Sequence, residues 1–312
     1  MSNSVLTNAS ALIALQNLNS TNNKLAMTQS RVNTGLKVQG AKDNAATWAI
    51  AQNQRADTGA LEAVKTSMNR ATSLADVSLA AGGQISDLLI EMREKVTAAA
   101  DPSQSPASRK AYNDEFQSLL KSLQSFADNA TFDGENILNG KLGGARPPFV
   151  VPATVPPTRE PLPSLDFLAS VGATETISVS RQDMSSEGLG FDLPARAAVV
   201  GPPAVPGRPA GPPLLDTFEN AQEAFTVVVA ALDMANGKLA ELGAQAKQVE
   251  KHNLFVGKLM DSLEVGIGNL VDADMAKESA RLQALQVQQQ LGAQALSIAN
   301  QAPQIILSLF KG

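Results

Sequence analysis

No cysteine occurs among the 312 residues, and histidine, tyrosine and tryptophan occur once each. The first absence excludes disulfide frameworks, thiolate zinc sites and cysteine nucleophiles. A single His252 removes every two-histidine metal site built from one chain. No catalytic residue, metal ligand or cofactor site is expected, and the chain is read as non-enzymatic. Aromatic residues are only 4% of the total, which argues against a sheet-based core. No apolar run reaches the roughly 18 to 20 residues that span a bilayer. Met1 to Ser10 lacks the basic start and apolar stretch of a cleavable signal peptide. The expectation is a chain that is soluble, or exported by a route that needs no such peptide. Thirty acidic against 25 basic side chains leave a net charge of -5 and no cationic field for a phosphate backbone, so nucleic acid is not an expected partner.

Proline is scarce except in one place. Fourteen of the 17 fall between Pro147 and Pro213. Proline lacks an amide donor and clashes with the preceding turn, so residues 141–213 cannot continue helices from either side and must form an insert. Within it, Thr174 to Ser180 alternates enough for one strand around Ile177 and Val179, and the flanks Arg146–Pro163 and Pro194–Pro213 read as extended stems.

What is abundant is apolar spacing of three and four, the mark of helices that bury one stripe. Leu61, Val64, Met68, Ala71, Ala75, Ser78, Gly82, Ile85, Leu89, Met92 and Val96 form one series. Tyr112, Phe116, Leu119, Leu123, Phe126 and Ala130 form a second after the Asp101-Pro102 break. A third runs from Phe218 and Ala221 through Phe225, Val228 and Leu232 to Leu270, and only Asn253 is polar. Beyond Leu270 the phase slips by one residue and the stripe resumes at Val271, Met275, Leu282, Leu285, Leu296, Ala299, Ile306 and Phe310. A one-residue slip turns the buried face by roughly 100°, which marks a joint at Val271–Asp274. At the chain start a weaker stripe, Leu15, Leu18, Leu25 and Val32 with Asn22 and Gln29 between, ends at a glycine stop, Gly35. Thr131–Gly140 carries Asp-Gly and Asn-Gly and reads as a β-hairpin.

Neither end can bury its stripe alone. Ordering the terminal helices costs roughly 1 to 2 kcal/mol of backbone entropy per residue. A dozen leucine-class side chains return only about 1.5 to 3 kcal/mol each. The ends are therefore expected to pair with each other and with other copies of the chain.

Several segments resemble bacterial flagellin. They are Thr7–Leu12, Arg31–Ala46, Lys238–Gln245, Asp272–Ala276 and Ala299–Leu309, in the family's order and at both chain ends. The resemblance covers about 1–140 and 214–312. It implies a mostly α fold: long coiled-coil helices from both chain ends, a helical rod with a β-hairpin, and a small Pro-rich insert with room for a strand. The implied domains are 1–45 and 271–312 as halves of an inner coiled coil, 46–140 and 214–270 as halves of the rod, and 141–213 as a variable surface-exposed insert. The implied function is the subunit of a hollow helical filament, exported by the type III route and located in the extracellular flagellum. The alternative is a flagellin-like surface protein that binds a polysaccharide or host surface through the insert.

Site residues follow from stripes and resemblance together. Subunit packing is assigned to Leu15, Leu18, Leu25, Val32, Met275, Leu282, Leu285, Leu296, Ile306 and Phe310. The family implies an export chaperone on Ile305, Ile306, Leu309 and Phe310, filament cap and junction proteins as further partners, and a surface glycan under the alternative. The stretch that many flagellins present to the vertebrate flagellin-sensing Toll-like receptor reads Leu89-Ile90-Glu91-Met92-Arg93-Glu94-Lys95 here. Arg93 and Glu94 match, whereas Glu91 replaces an arginine and Lys95 a leucine, so the resemblance implies weakened activation. Asp272 and Asp274 pair two carboxylates, but too few oxygen ligands lie nearby for a calcium loop, and a helix start before Met275 is the plainer reading. His252 is read as structural.

Overall fold

The computed structural model describes residues 8–141, 163–192 and 211–309. In chain order the elements are α1 (Ala9–Thr34), α2 (Ala45–Ala99), α3 (Pro106–Asn129), β1 (Thr131–Phe132), β2 (Glu135–Asn136), β3 (Leu165–Leu168), β4 (Thr176–Val179), α4 (Phe218–Val271) and α5 (Met275–Leu309). The fold is mostly helical with two small antiparallel strand pairs, as the stripes require. It divides into two units, residues 1–59 with 259–312, and residues 60–258, and α2 and α4 supply residues to both.

The larger unit is built on the α2 stripe. Val64, Met68, Ala71, Ala75, Ser78, Ile85, Leu89, Met92 and Val96 are all fully buried. Ser78 fits there because its hydroxyl donates to the Leu74 carbonyl of its own helix at 2.8 Å. On α4 the buried row advances by sevens through Ala221, Val228, Ala235, Leu242, Val249 and Val256, with Ala224 and Ala231 beside it. The stripe expected through Phe225 therefore sits one residue off at that point: Phe225 is exposed and Ala224 is buried. On α3 a one-residue shift the other way exposes Phe126 and buries Ala127. Small alanines at the seam let helices approach closely, and the larger ring is carried at the flank.

Helix α3 starts at Ser105, whose hydroxyl accepts from the Ser108 amide at 3.1 Å, with Pro106 in the first turn. It ends on a buried Asn136. That side-chain amide donates to the Ala127 and Asp128 carbonyls, and its oxygen accepts from the amides of Leu138 and Asn139. The hairpin β1–β2 turns at Asp133-Gly134, both at positive φ, as a type I′ turn demands.

The middle of the proline island is a correction. One strand between extended stems was expected, yet the segment carries a core of its own: Phe167, Ile177, Val179, Met184, Leu189 and Phe191 are all buried. The expected strand is β4, and its partner β3 pairs Leu165 with Val179 and Phe167 with Ile177. Residues 163–192 pack on the helices: Leu168 N donates to Ser67 Oγ of α2, and Phe191 meets Phe116 of α3 edge-on at 6.5 Å. Backbone bonds from Gln182 to Ile137 and from Met184 to Leu138 extend the hairpin region. Arg181 donates to Glu135 at 2.8 Å and to the Asn136 carbonyl at 2.6 Å. Most of the two expected extended stems lies outside the described residues.

Candidate assembly surface

In the smaller unit α1 and α5 run antiparallel. Asn8 Nδ2 donates to the Ala299 carbonyl at 2.7 Å, Gln289 Nε2 to Asn22 Oδ1 at 2.8 Å, and Arg31 pairs with Glu278 at 3.5 Å. Among the buried and half-buried residues of α1 a row runs through Ala11, Ala14, Leu18, Thr21, Leu25, Thr28 and Val32, spaced three and four, with Asn22, Ser30 and Arg31 half-buried beside it. Those of α5 are Glu278, Leu282, Leu285, Gln289, Gly292, Leu296 and Ala299, spaced likewise. This is the seam of a two-helix coiled coil. Gly292 belongs to it because a side chain there would press on Leu18 Cδ1 at 3.3 Å.

Of the residues assigned to subunit packing, Leu18, Leu25, Val32, Leu282, Leu285 and Leu296 therefore line the seam within the chain. Leu15 and Met275 lie off it and are exposed. Threonines occupy the positions where Asn22 and Gln29 had been expected on the stripe. Thr21 and Thr28 are buried, and the Thr21 hydroxyl donates to the Asn17 carbonyl of its own helix at 3.0 Å. A hydroxyl satisfied inside its own helix buries like an apolar group. Ile305, Ile306 and Leu309 fall in α5 at a stretch where the side chains are not described, and Phe310 lies outside the described residues.

The opposite side of the same two helices is also apolar. On α5, Val287, Leu291 and Ile298 stand at a four-seven spacing, 180° or so from the seam by helical geometry, and are 55, 59 and 69% exposed. On α1, Leu12, Ile13 and Met27 point away from the seam in the same manner and are exposed. A helix apolar on two faces is one buried on two sides. The sequence signal for this second face was present, but a search for one stripe per helix passes over it.

The joint is built by backbone. Gly35 ends α1 in the left-handed conformation, φ 73°, and its amide donates to the Arg31 carbonyl at 2.9 Å. Lys37 and Val38 amides donate to the Val271 carbonyl, and the Ala273 amide donates to the Gly35 carbonyl at 2.8 Å. Leu36 and Asp272 form the bridge between the two breaks. Val38, Ala51 and Val271 are buried beside Leu36, Trp48, Ile267 and Leu270. Asp274 caps α5 by accepting from the Lys277 amide at 3.1 Å. Among the described residues no three carboxylates or imidazoles cluster to hold a metal ion.

On the larger unit, Leu89 is buried and so cannot reach a partner while the helix packing holds. Glu91, Arg93 and Glu94 are exposed, and Ile90 beside them is the apolar side chain that this surface offers. Lys95 pairs with Glu115 at 3.1 Å. The Glu115 carboxylate raises the Lys95 pKa above its ordinary value, chiefly through that hydrogen bond.

His252 belongs to a row that the stripe analysis missed. Lys238, Gln245 and His252 follow Ala224 and Ala231 at seven-residue spacing on α4, where a coiled coil would place apolar residues. Each meets the 163–192 segment. Lys238 donates to the Asp183 and Gly188 carbonyls, Gln245 accepts from the Ser180 amide at 2.9 Å, and His252 Nε2 lies 2.8 Å from the Ala169 carbonyl. The signal was a polar residue every seventh position, which reads as noise until a non-helical partner is known.

The geometry defines a helical chain whose terminal helices leave an apolar face uncovered. Residues 5–142 match the bacterial flagellin N-terminal helical region and residues 225–310 the bacterial flagellin C-terminal helical region. The chain is 44% identical to flagellin FljM of Caulobacter vibrioides and 35% identical to a flagellin of Brucella melitensis biotype 1, each over 99% of both chains. The crystal structure of Bacillus cereus flagellin is also similar, at 18% identity and a TM-score of 0.45, covering 61% of this chain and 87% of that one. The chain belongs to the bacterial flagellins, a family of structural filament subunits and not of enzymes. No helix among the described residues is long and apolar enough to cross a membrane.

Proposed function

We propose that the chain polymerises through α1 and α5 into a hollow helical flagellar filament that serves as a propeller for motility. Residues 1–45 and 271–312 form its inner layer, and 46–140 with 214–270 form the helical layer outside. The observation that carries this reading is the two-faced terminal pair: one face satisfied within the chain, the other bare on both helices. A thin seam holding threonine, alanine and glycine buries too little apolar area to hold the pair alone, so the second face supplies the remainder from neighbouring copies. The apolar end at Ile305, Ile306, Leu309 and Phe310 fits coverage by an export chaperone before assembly, and by inner-layer packing afterwards.

The displayed-binder alternative is not favoured, because residues 163–192 are bonded to α2, α3 and α4 in place of standing free. Purified chain offered short filament seeds is expected to elongate them into tubes visible by electron microscopy. Seeds that fail to grow at any concentration would sink the reading.

A further inference from the structure

We infer that two patches of the larger unit, one centred on Ile90 of α2 and one on Leu254 and Phe255 of α4, are the two sides of a single contact between copies of the chain; the inference rests on the filament reading above. Among the described residues of that unit these three are the most exposed large apolar side chains, at 55, 62 and 58%, with Met234 next at 41%. Exposed apolar groups rimmed by charge mark interaction surfaces. The two rims match in spacing and oppose in sign. Asp87 and Glu94 stand three residues before and four after Ile90, and Lys251 and Lys258 stand three before and four after Leu254. At about 100° per residue, each of these pairs falls on one flank of its apolar centre. On the other flank the signs are exchanged, with Arg93 beside Ile90 and Glu250 beside Leu254. All six charged side chains are exposed. Glu91 adds to the acidic rim and Lys247 to the basic one, while Glu175 lines the hollow beside Phe255.

The two patches cannot meet within one chain. Asn253 bonds Asn69 at 2.8 Å and Ser86 bonds Asn236 at 3.2 Å, so α2 and α4 run antiparallel with Leu254 close to the level of Asn69. Ile90 lies about 30 Å further along α2 at 1.5 Å per residue. Two different patches that complement one another make a head-to-tail contact, which repeats without closing and generates a helical polymer. Orientation favours the same arrangement. When copies stand the same way up, α2 of one and α4 of the next run antiparallel. Facing helices bring like flanks together only when antiparallel. Asp87 of one copy then meets Lys258 of the next, Glu94 meets Lys251 and Arg93 meets Glu250, with Ile90 on Leu254 between them. A parallel pairing would set Glu250 against the carboxylates and Arg93 against the lysines.

Exchange of charge tests this at exposed positions only. One full chain carries Lys251→Glu with Lys258→Glu, a second carries Asp87→Lys with Glu94→Lys, and a third carries all four. The readout is the critical concentration for sustained growth from filament seeds, followed by light scattering. Like charges set face to face weaken an interface steeply, so the first and second chains alone should need a concentration at least roughly tenfold higher. Mixed in equal amounts they can alternate with acid facing base at every junction, and the third chain restores the match by itself. Both should grow within about threefold of the unmodified chain, as paired substitutions do when the two sites touch.

First and second chains that grow as the unmodified chain does would overturn the inference, as would a mixture or a third chain no better than either variant alone. Circular dichroism melts report whether the larger unit is intact. Where a reversed chain melts early, the neutral forms Lys251→Gln with Lys258→Gln and Asp87→Asn with Glu94→Gln decide. A critical concentration raised at least roughly threefold then supports the contact, and an unchanged one overturns it. Unmodified chain that will not elongate seeds sinks the filament reading and this inference with it, and is recognised before any variant is made.

Discussion

Replacing Leu291 and Ile298 together by glutamine isolates the bare face of α5 from everything else in the chain. Both side chains are more than half exposed, at 59 and 69%, and neither belongs to the seam. Burying a whole leucine-class side chain is worth about 1.5 to 3 kcal/mol, so covering the fraction still exposed is worth about 1 to 2 kcal/mol each. Removing both takes away about 2 to 4 kcal/mol of association free energy per subunit. At about 1.4 kcal/mol per factor of ten, the critical concentration for elongation should rise by roughly 30- to 700-fold. Glutamine keeps the helix propensity close to that of leucine, and exposed substitutions elsewhere usually stay within about 0.5 kcal/mol. The melting of the larger unit, followed by circular dichroism, should therefore not move. The assay is seeded growth by light scattering across a dilution series. An unchanged critical concentration would show that this face stays wet in the filament, and the two-sided argument would fail.

Other outcomes follow from the same geometry. Leu89→Ala should destabilise the larger unit by about 2 to 5 kcal/mol, whereas Ile90→Ala on the next position should stay within about 0.5 kcal/mol, both read from thermal melts. Gln245→Ala with His252→Ala removes two partners of the 163–192 segment, at about 1 kcal/mol apiece, and should speed limited proteolysis within it while α2 and α3 remain intact. Gly140→Ala should cost more than about 1 kcal/mol and lower the melting temperature. It sits at φ 67° and a side chain would run into the Asp183 carboxylate.

Acid provides a further check. The Gln124 amide, and then Lys141, hold the Asp128 carboxyl below its ordinary pKa. Its contribution is present above about pH 4 and is lost as pH falls through the lowered folded value. Asp128→Asn should therefore flatten the acid side of a melting-temperature profile slightly, by at most about 0.5 kcal/mol for so exposed a pair, and leave pH 7 to 9 unaltered in shape.

How far the fold was legible varied with the kind of neighbour each residue meets. The α2 series from Leu61 to Val96 was readable in full because helix-on-helix burial stamps its own period on the chain. Gly35 and the slip at Val271–Asp274 were readable because a helix stop and a phase change are local events. The α1 seam lies one position from Asn22 and Gln29, at Thr21 and Thr28, since a count of apolar letters cannot tell a buried threonine from an exposed one. The 163–192 segment was underestimated for the opposite reason. Proline correctly forbade helix, but the burial of Met184, Leu189 and Phe191 depends on partners far along the chain. The candidate surface was half legible: its residues were on the right helices, and the stripe selected the intramolecular side.

The crossing at Gly35 and Val271–Ala273 is stitched by main-chain atoms, and that settles which errors it survives. Every residue but proline carries both an amide donor and a carbonyl, so drift in the letters at Leu36, Lys37 or Asp272 to anything else leaves the stitches in place. Adding or dropping a single residue on either strand would unpick all of them at once. This stretch should thus forgive spelling and punish changes of length.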